Sequence, residues 1–153
     1  MPQVGLISDT HGLLRPEALS ALTGVDALIH AGDVGKPELL EPLRAIAPLT
    51  VVRGNVDRGD WAEALPMTAE LEVGGLWIHT LHIRDDLDLD PRAAGFDVVV
   101  FGHSHRPEIE ERDGVLYVNP GSAGPRRFSL PISVARLSIE GGRARAEIVE
   151  LEL

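Results

Sequence analysis

The chain has 153 residues, of which 44% are hydrophobic and 25% charged, so it is long enough for one globular domain and too apolar to be largely disordered. Its net charge of −10, with a single lysine at Lys36, makes it a poor candidate for duplex nucleic acid, which is bound mainly through Lys and Arg contacts to phosphate. The absence of cysteine excludes disulfides and thiolate metal ligands.

The first third of the chain alternates predicted strands and helices. Apolar runs predict strands at Gln3–Ser8, Asp26–His30 and Leu49–Arg53. Amphipathic stretches with an early proline predict helices between them, at Pro16–Leu22 and Lys36–Ile46. This order predicts parallel strands joined by right-handed crossovers.

The rest of the chain predicts short strands joined by glycine turns. The apolar run Asp97–Phe101 predicts one further strand, which is buried on both faces. The predicted hairpins pair Glu70–Val73 with Leu76–Leu81, Glu110–Arg112 with Val115–Val118, and Pro131–Glu140 with Arg143–Leu153. We therefore expect a parallel half and a largely antiparallel half, arranged as two sheets packed face to face with helices outside.

Polar runs follow the predicted strands at the points where they end. These runs are Ser8-Asp9-Thr10-His11-Gly12, Gly32-Asp33-Val34, Gly54-Asn55-Val56-Asp57 and Gly102-His103-Ser104-His105, and His82 follows a further strand. Functional groups of open α/β sheets gather just beyond the carboxyl ends of the strands. Carboxylate and amide oxygens with imidazole nitrogens suit first-row divalent metals, and one carboxylate can bridge two ions. The pattern predicts a two-metal hydrolytic site.

Each of these signals has an ordinary structural explanation when it is taken alone. Asp33 precedes a predicted helix and fits an N-cap residue, and Asn55 fits a turn. The pair His103 and His105 is more specific, because two imidazoles at positions i and i+2 after a buried strand can face one pocket.

The combined order Asp-x-His, Gly-Asp, Gly-Asn, His and Gly-His-x-His resembles the calcineurin-like metallophosphoesterase superfamily, and within it the small YfcE-type phosphodiesterase branch. The resemblance extends from Val4 to about Leu151 and includes the loop Asn119-Pro120-Gly121-Ser122. It implies an α/β fold, a four-layer αββα sandwich of two mixed sheets flanked by helices.

The resemblance also implies a ligand set for two divalent ions, with Mn²⁺ favoured and Fe, Zn or Ni as alternatives. One ion would be held by Asp9, His11 and His105, the second by Asn55, His82 and His103, and Asp33 would bridge them. Asp33, Asn55 and His103 would also take part in catalysis. The implied activity is phosphodiester hydrolysis of a small-molecule or nucleotide substrate, in which hydroxide between the metals attacks phosphorus in line.

Two positions depart from the pattern of the superfamily. Val56 stands where many members have a histidine that stabilises the transition state or protonates the leaving group. We therefore expect a preference for substrates with good leaving groups, such as aryl phosphodiesters. Ile83 and Arg84 replace the Gly-His that follows the ligand histidine in the branch, so either the surroundings of the second metal differ or Arg84 contacts phosphate. Arg53 is a second candidate phosphate contact, and it could equally pair with Asp57 or Asp60.

Two other functions share these residues: an inactive protein-interaction scaffold, as in the small retromer subunit of the same fold, and a structural metalloprotein without turnover. His30 fits either a core histidine, which we favour, or a residue that orients a metal ligand.

The chain has no apolar run close to the roughly 20 residues that span a bilayer, and Met1-Pro2-Gln3-Val4 is unlike the start of a signal peptide. We therefore expect a cytoplasmic protein with one domain, residues 1–153, and no membrane segment. Exposed hairpin edges are compatible with a homodimer.

Overall fold

The apolar, β-branched runs of the chain form ten strands, and the computed structural model describes every residue from Met1 to Leu153. The strands are β1 Gln3–Ile7, β2 Ala27–His30, β3 Leu49–Val51, β4 Thr68–Val73, β5 Leu76–Leu81, β6 Val98–Val100, β7 Glu108–Arg112, β8 Val115–Asn119, β9 Ser133–Glu140 and β10 Arg143–Glu150. The helices are α1 Pro16–Ala21, α2 Leu40–Arg44 and α3 Asp60–Glu63.

The strands form two five-stranded sheets, in the orders β10-β9-β1-β2-β3 and β4-β5-β6-β8-β7. In the first sheet β1, β2 and β3 are parallel, and β9 and β10 add an antiparallel hairpin. In the second sheet β5, β6 and β8 are parallel, and the antiparallel strands β4 and β7 form its edges. Two mixed sheets confirm the predicted fold class.

Four of the six pairings made by the strands after β3 are antiparallel, as expected, but β5, β6 and β8 pair in parallel. Strands β5 and β6 are joined by the long connection of residues 82–97, and β6 reaches β8 by way of residues 101–114. Connections of this length let the chain cross back to the end of the sheet where the previous strand began. The next strand then runs in the same direction, so these strands pair in parallel.

The three predicted hairpins are confirmed. Their two-residue turns are Gly74-Gly75, Asp113-Gly114 and Gly141-Gly142, and both central residues have positive φ in each turn. This backbone conformation is that of a type I′ turn, whose twist matches the right-handed twist of the paired strands.

The main core lies between the two sheets, where Val4, Leu6 and Ile29 of the first sheet meet Ile78 and Val98 of the second. A second core joins the outer face of the first sheet to the helices, through residues such as Ala18, Leu22 and Leu43. The outer face of the second sheet is covered by the segment after β5, which contains a single 3₁₀ turn at residues 84–86 and Leu87. The outer layer of the first sheet is thus helical, as predicted, whereas the layer on the second sheet is a connecting segment in place of the predicted helices.

The predicted helix Lys36–Ile46 is divided into two parts, a 3₁₀ turn at Pro37–Leu39 and the α-helix α2. Pro42 explains the division, because its ring nitrogen cannot donate to a preceding carbonyl and is tolerated only in the first turn of a helix. Helix α3, which has one turn, was not predicted. No helix is long and apolar enough to cross a membrane.

Candidate metal centre

The predicted polar runs lie together at one end of the sandwich, beyond the carboxyl ends of parallel strands of both sheets. In the first sheet the Asp9 amide donates to Gly32 O at 3.0 Å and the His11 amide donates to Asp33 O at 2.9 Å. In the second sheet the Gly102 amide donates to His82 O at 2.9 Å. These backbone hydrogen bonds hold neighbouring strand-end loops in register.

Asp9, His11 and His105 form the first group of potential ligands. The His105 and His11 Nε2 atoms are 3.3 Å apart, and they lie 3.4 and 3.7 Å from Asp9 Oδ1. Ligand atoms placed tetrahedrally around an ion at about 2.1 Å are separated by about 3.4 Å. The three atoms therefore have the spacing of ligands around one small cation.

Asp33, His82 and His103 form the second group. Asp33 Oδ2 lies 3.2 Å from His82 Nε2 and 3.5 Å from His11 Nε2, so one carboxylate oxygen lies between the two groups. Asn55 joins the second group, since its Oδ1 is 3.2 Å from His103 Nδ1. The structure thus brings together all seven residues that were predicted as ligands.

Three buried atoms in this cluster lack a hydrogen-bond partner: Asp9 Oδ1, His82 Nε2 and His105 Nδ1. The other polar atoms of Asp9 and His82 are occupied. Asp9 Oδ2 accepts from Ser8 Oγ at 2.6 Å and from the His103 amide at 3.1 Å, and His82 Nδ1 donates to Ala31 O at 2.7 Å. Buried polar atoms are rarely left unpaired, and a metal-binding histidine commonly donates its other ring N–H to a carbonyl. The donor set therefore fits divalent cations.

The acidic groups of the site are held ionised. Burial alone would raise the pKa of Asp9, but the neighbouring imidazoles of His105, His11 and His82 outweigh it and hold that pKa well below its usual range. Burial would likewise raise the pKa of Asp33, but the adjacent His82 ring and the hydrogen bond from the Val56 amide outweigh it and lower that pKa. Ionised carboxylates are the form that coordinates a metal.

Most residues in an unusual backbone conformation belong to this site. Positive φ angles at residues other than glycine occur at Asp113 in a hairpin turn, at Phe128, and at five predicted ligands: Asp9, His11, Asp33, His103 and His105. Such conformations are uncommon for side chains with a Cβ and concentrate at functional sites, where the surrounding structure holds them.

The loops approach so closely that two positions require glycine. A Cβ atom on Gly54 would collide with the backbone nitrogen and Oδ1 of Asp33, and one on Gly102 would collide with Ser8 Oγ and lie 2.7 Å from Asp9 Oδ2. The glycines before Asn55 and His103 thus allow the loops of the two sheets to contact the acidic ligands.

Residues 3–142 match the model of the calcineurin-like phosphoesterase superfamily domain. The chain belongs to this family. It is 35% identical to a probable metallophosphoesterase of Methanothermobacter thermautotrophicus, over 95% of the chain and 91% of that protein. It is 30% identical to the phosphodiesterase YfcE of Escherichia coli strain K12, over 90% of the chain and 88% of that protein.

The fold of this phosphoesterase-family chain also resembles that of vacuolar protein sorting 29, Vps29. Vps29 of Chaetomium thermophilum superimposes with a TM-score of 0.79, at 22% identity, over 99% of the chain and 97% of Vps29. At this level of identity the likeness establishes the fold alone.

Asp57 is a structurally important residue that the sequence did not reveal. Its buried carboxylate accepts backbone N–H groups from Gly54 at 2.9 Å, Gly35 at 3.0 Å and Val34 at 3.2 Å. It therefore ties the loop of Asn55 to the loop of Asp33. Its place in the run Gly54-Asn55-Val56-Asp57 was the only signal, and an acidic residue in a turn does not by itself identify such a role.

The two arginines proposed as phosphate contacts lie near the ligands but have protein partners. Arg53 Nε donates to Asp57 O at 3.3 Å. Arg84 is paired with both Glu108 and Glu110, and its guanidinium lies 4.3 Å from the centre of the Tyr117 ring. Part of the hydrogen-bonding capacity of each arginine is thus already used within the protein.

Arg84 also lines a cavity of about 200 Å³ beside His103. Phe101 forms part of the apolar wall of this cavity, and Ser104 and Glu108 contribute polar atoms. The cavity adjoins the second group of ligands, so it is in a position to receive a substituent of a bound phosphoester.

Proposed function

We propose that the protein is a dinuclear metal-dependent phosphodiesterase that acts on a small-molecule or nucleotide substrate. The position of Asp33 Oδ2 between two groups of ligand atoms is the observation that carries this proposal. A carboxylate shared in this way is how two-metal hydrolytic sites hold their ions together. Membership in the phosphoesterase family and the similarity to a phosphodiesterase support it.

In this proposal Asp9, His11 and His105 hold one divalent ion, Asn55, His82 and His103 hold the other, and Asp33 bridges them. Mn²⁺ is the proposed metal, and Fe, Zn or Ni are alternatives because nitrogen and oxygen ligands accept each of them. When bound, two such ions supply Lewis acidity that activates a water molecule for in-line attack and neutralises charge on the phosphoryl oxygens.

The residues of the chain supply position and access. His103 is exposed and its ring is fixed against Asn55, so these two residues form the open side of the cluster where a phosphoester can enter. Arg53 is proposed to contact a phosphoryl oxygen with the N–H groups that Asp57 leaves free. Arg84, fixed by its glutamates, is proposed to bind substrate as a wall of the cavity beside His103.

A scaffold function is the second candidate, and the similarity to Vps29 favours it. Vps29 of Chaetomium thermophilum has also been solved in complex with a cyclic peptide. The two candidates differ in metal-dependent turnover, which a scaffold does not need. Cytoplasmic localisation and homodimer formation stay predictions.

The first test is hydrolysis of bis(p-nitrophenyl) phosphate and p-nitrophenyl phosphate by chelator-stripped protein, with and without Mn²⁺. We expect Mn²⁺-dependent turnover of the diester in preference to the monoester. Asp33→Ala should lower the diester rate by more than about 100-fold, because even partners of metal ligands typically contribute 10- to 100-fold.

The matched control is Asp88→Ala, which removes an exposed acidic residue outside the cluster and should leave the rate unchanged. Binding of Mn²⁺ without turnover of either ester, with Fe, Zn and Ni also inactive, would contradict the enzyme and favour the scaffold.

A further inference from the structure

His30 is fully buried, and its side chain forms no hydrogen bond with any of the seven proposed ligands. It ends strand β2, and both of its ring nitrogens have partners. Nδ1 accepts from the Gly32 amide at 3.0 Å, and Nε2 lies 3.0 Å from Thr10 Oγ1. The second buried histidine outside the cluster, His79, differs because its Nδ1 has no hydrogen-bond partner.

These contacts define one direction for the hydrogen bonds. Because Nδ1 accepts a backbone N–H, the ring proton is on Nε2, which donates to Thr10 Oγ1. The Thr10 hydroxyl then donates its own proton to Val34 O at 2.8 Å. Only the neutral ring can make this arrangement, and burial lowers the pKa of His30 to about 4, which keeps the ring neutral near pH 7.

The partners of His30 lie in the two loops that carry acidic ligands. Thr10 stands between Asp9 and His11, and Gly32 and Val34 flank Asp33. The backbone bonds between these loops run in the same region, from the His11 amide to Asp33 O. His30 and Thr10 thus add side-chain hydrogen bonds between the loop of Asp9 and His11 and the loop of Asp33.

The contact with Gly32 also affects the opposite sheet. Gly32 has a φ of +103°, and a Cβ atom there would lie 2.7 Å from His82 Nδ1. The hydrogen bond from its amide to His30 therefore fixes a backbone segment against which a ligand histidine of the second sheet packs.

We infer that His30 is a positioning residue of the metal centre: through Thr10 and Gly32 it sets the geometry of Asp9, His11 and Asp33 and thereby the affinity for divalent cations. The inference rests on the metal centre of the proposed function. An apolar side chain could fill the same volume, but it would leave the Gly32 amide and the Thr10 hydroxyl without their buried partner. Groups that orient metal ligands from behind typically change metal affinity by 10- to 100-fold.

The test is calorimetric titration of chelator-stripped protein with Mn²⁺, which measures affinity and stoichiometry without relying on turnover. We expect Thr10→Val and His30→Leu to weaken Mn²⁺ binding by about 10- to 100-fold. Thr10→Ser keeps the hydroxyl and should bind Mn²⁺ like the wild type. His79→Leu is the matched control, since it removes a buried histidine without such partners and should not change the affinity.

Wild-type affinity in both Thr10→Val and His30→Leu would overturn the inference. The inference would also be overturned if the losses of Mn²⁺ affinity in Thr10→Val and His30→Leu were additive when both substitutions are combined, because residues that act through one hydrogen bond must be coupled. If His30→Leu does not fold, Thr10→Val and Thr10→Ser decide the matter, since valine has nearly the volume of threonine but lacks the hydroxyl, whereas serine is smaller and keeps it.

Diester hydrolysis measured on the same samples separates this inference from the proposed function. A wild type that binds Mn²⁺ but hydrolyses neither ester contradicts the phosphodiesterase, while the variant affinities still decide the role of His30. A wild type that turns over the diester, with variants of unchanged affinity, contradicts only the role of His30. A wild type that binds none of Mn²⁺, Fe²⁺, Zn²⁺ and Ni²⁺ overturns both.

Discussion

The residue after Asn55 bears on which leaving groups the proposed phosphodiesterase would accept. Val56 stands there, 42% exposed, and its amide donates to Asp33 Oδ1 at 3.0 Å. The backbone of Val56 is therefore fixed beside the shared carboxylate, while its side chain has no proton to give. In the proposed reaction a departing alkoxide would find no proton donor at this position, which would penalise poor leaving groups.

Val56→His should therefore improve turnover of esters with poor leaving groups. A positioned general acid contributes typically about 10²- to 10⁴-fold, and the benefit grows as the leaving group becomes more basic. We expect a steep dependence of kcat/KM on leaving-group pKa in the wild type and a shallower one in Val56→His, measured with a series of substituted phenyl phosphodiesters in Mn²⁺.

Val56→Gln is the control, because it places a polar side chain of similar reach at this position without a titrating proton. It should keep the steep dependence. Equal rates for aryl and alkyl leaving groups in the wild type would refute the idea that Val56 limits the choice of substrate.

At the scale of elements, the loops after β2 and β3 are joined by the side chain of Asp57. Asp57 belongs to the loop after β3 and accepts three backbone N–H groups, two of them from the loop after β2. The third comes from Gly54, whose close contact with Asp33 leaves no space for adjustment. The Asp57 carboxylate thus accepts hydrogen bonds from three backbone N–H groups that have no partner in a helix or sheet.

Asp57→Asn should destabilise the protein by about 2–3 kcal/mol. The amide retains one acceptor oxygen and turns an NH₂ group toward backbone donors, and hydrogen bonds to a charged group contribute about 1.5–3 kcal/mol. Urea unfolding followed by circular dichroism measures the change in the free energy of unfolding.

Asp26→Asn is the matched control, because Asp26 is exposed and accepts a single backbone N–H, from Gln3 at 2.8 Å. It should cost less than about 1 kcal/mol. Similar losses in the free energy of unfolding in the two variants would show that the three hydrogen bonds of Asp57 stabilise the protein no more than the single one of Asp26.

At the scale of the whole molecule, the proposed ligands are divided between the sheets. Asp9, Asp33 and Asn55 follow strands of the first sheet, and His82 and His103 follow strands of the second. Cations bound between them would join the two sheets at one end of the core. Because the unfolded chain has no such site, binding should stabilise the folded state.

Mn²⁺ should therefore raise the Tm of chelator-stripped protein. A concentration of 100 times Kd gives about 2.7 kcal/mol per site, and in a protein of this size each kcal/mol corresponds to about 2–4 °C. We expect an increase of about 5–10 °C for one site, measured by differential scanning calorimetry and reversed by chelator. Asp33→Ala should show a much smaller increase, and an unchanged Tm in the wild type would count against a metal centre.

Local signals in the sequence predicted the strands, the three glycine hairpins and the polar residues that gather at the strand ends. They failed where the structure depends on distant contacts. The sequence made Arg84 a candidate phosphate contact, but it did not reveal that two glutamates of β7, far along the chain, bind its guanidinium. The hydrogen bonds of His30 and Asp57 join separate loops, so neither residue could be distinguished from an ordinary core or turn residue.

The pairing of β1 with β9 has a consequence for synthesis on the ribosome. Gln3 lies opposite Ser138, so one edge of β1 has no partner until the residues of β9 have been made. At about 5–20 residues per second the nascent chain spends several seconds or more with this apolar edge open to other chains. The first sheet, and with it the end that carries the acidic ligands, is completed only once β9 and β10 have been made, so a chain that terminates before this hairpin would be prone to aggregate.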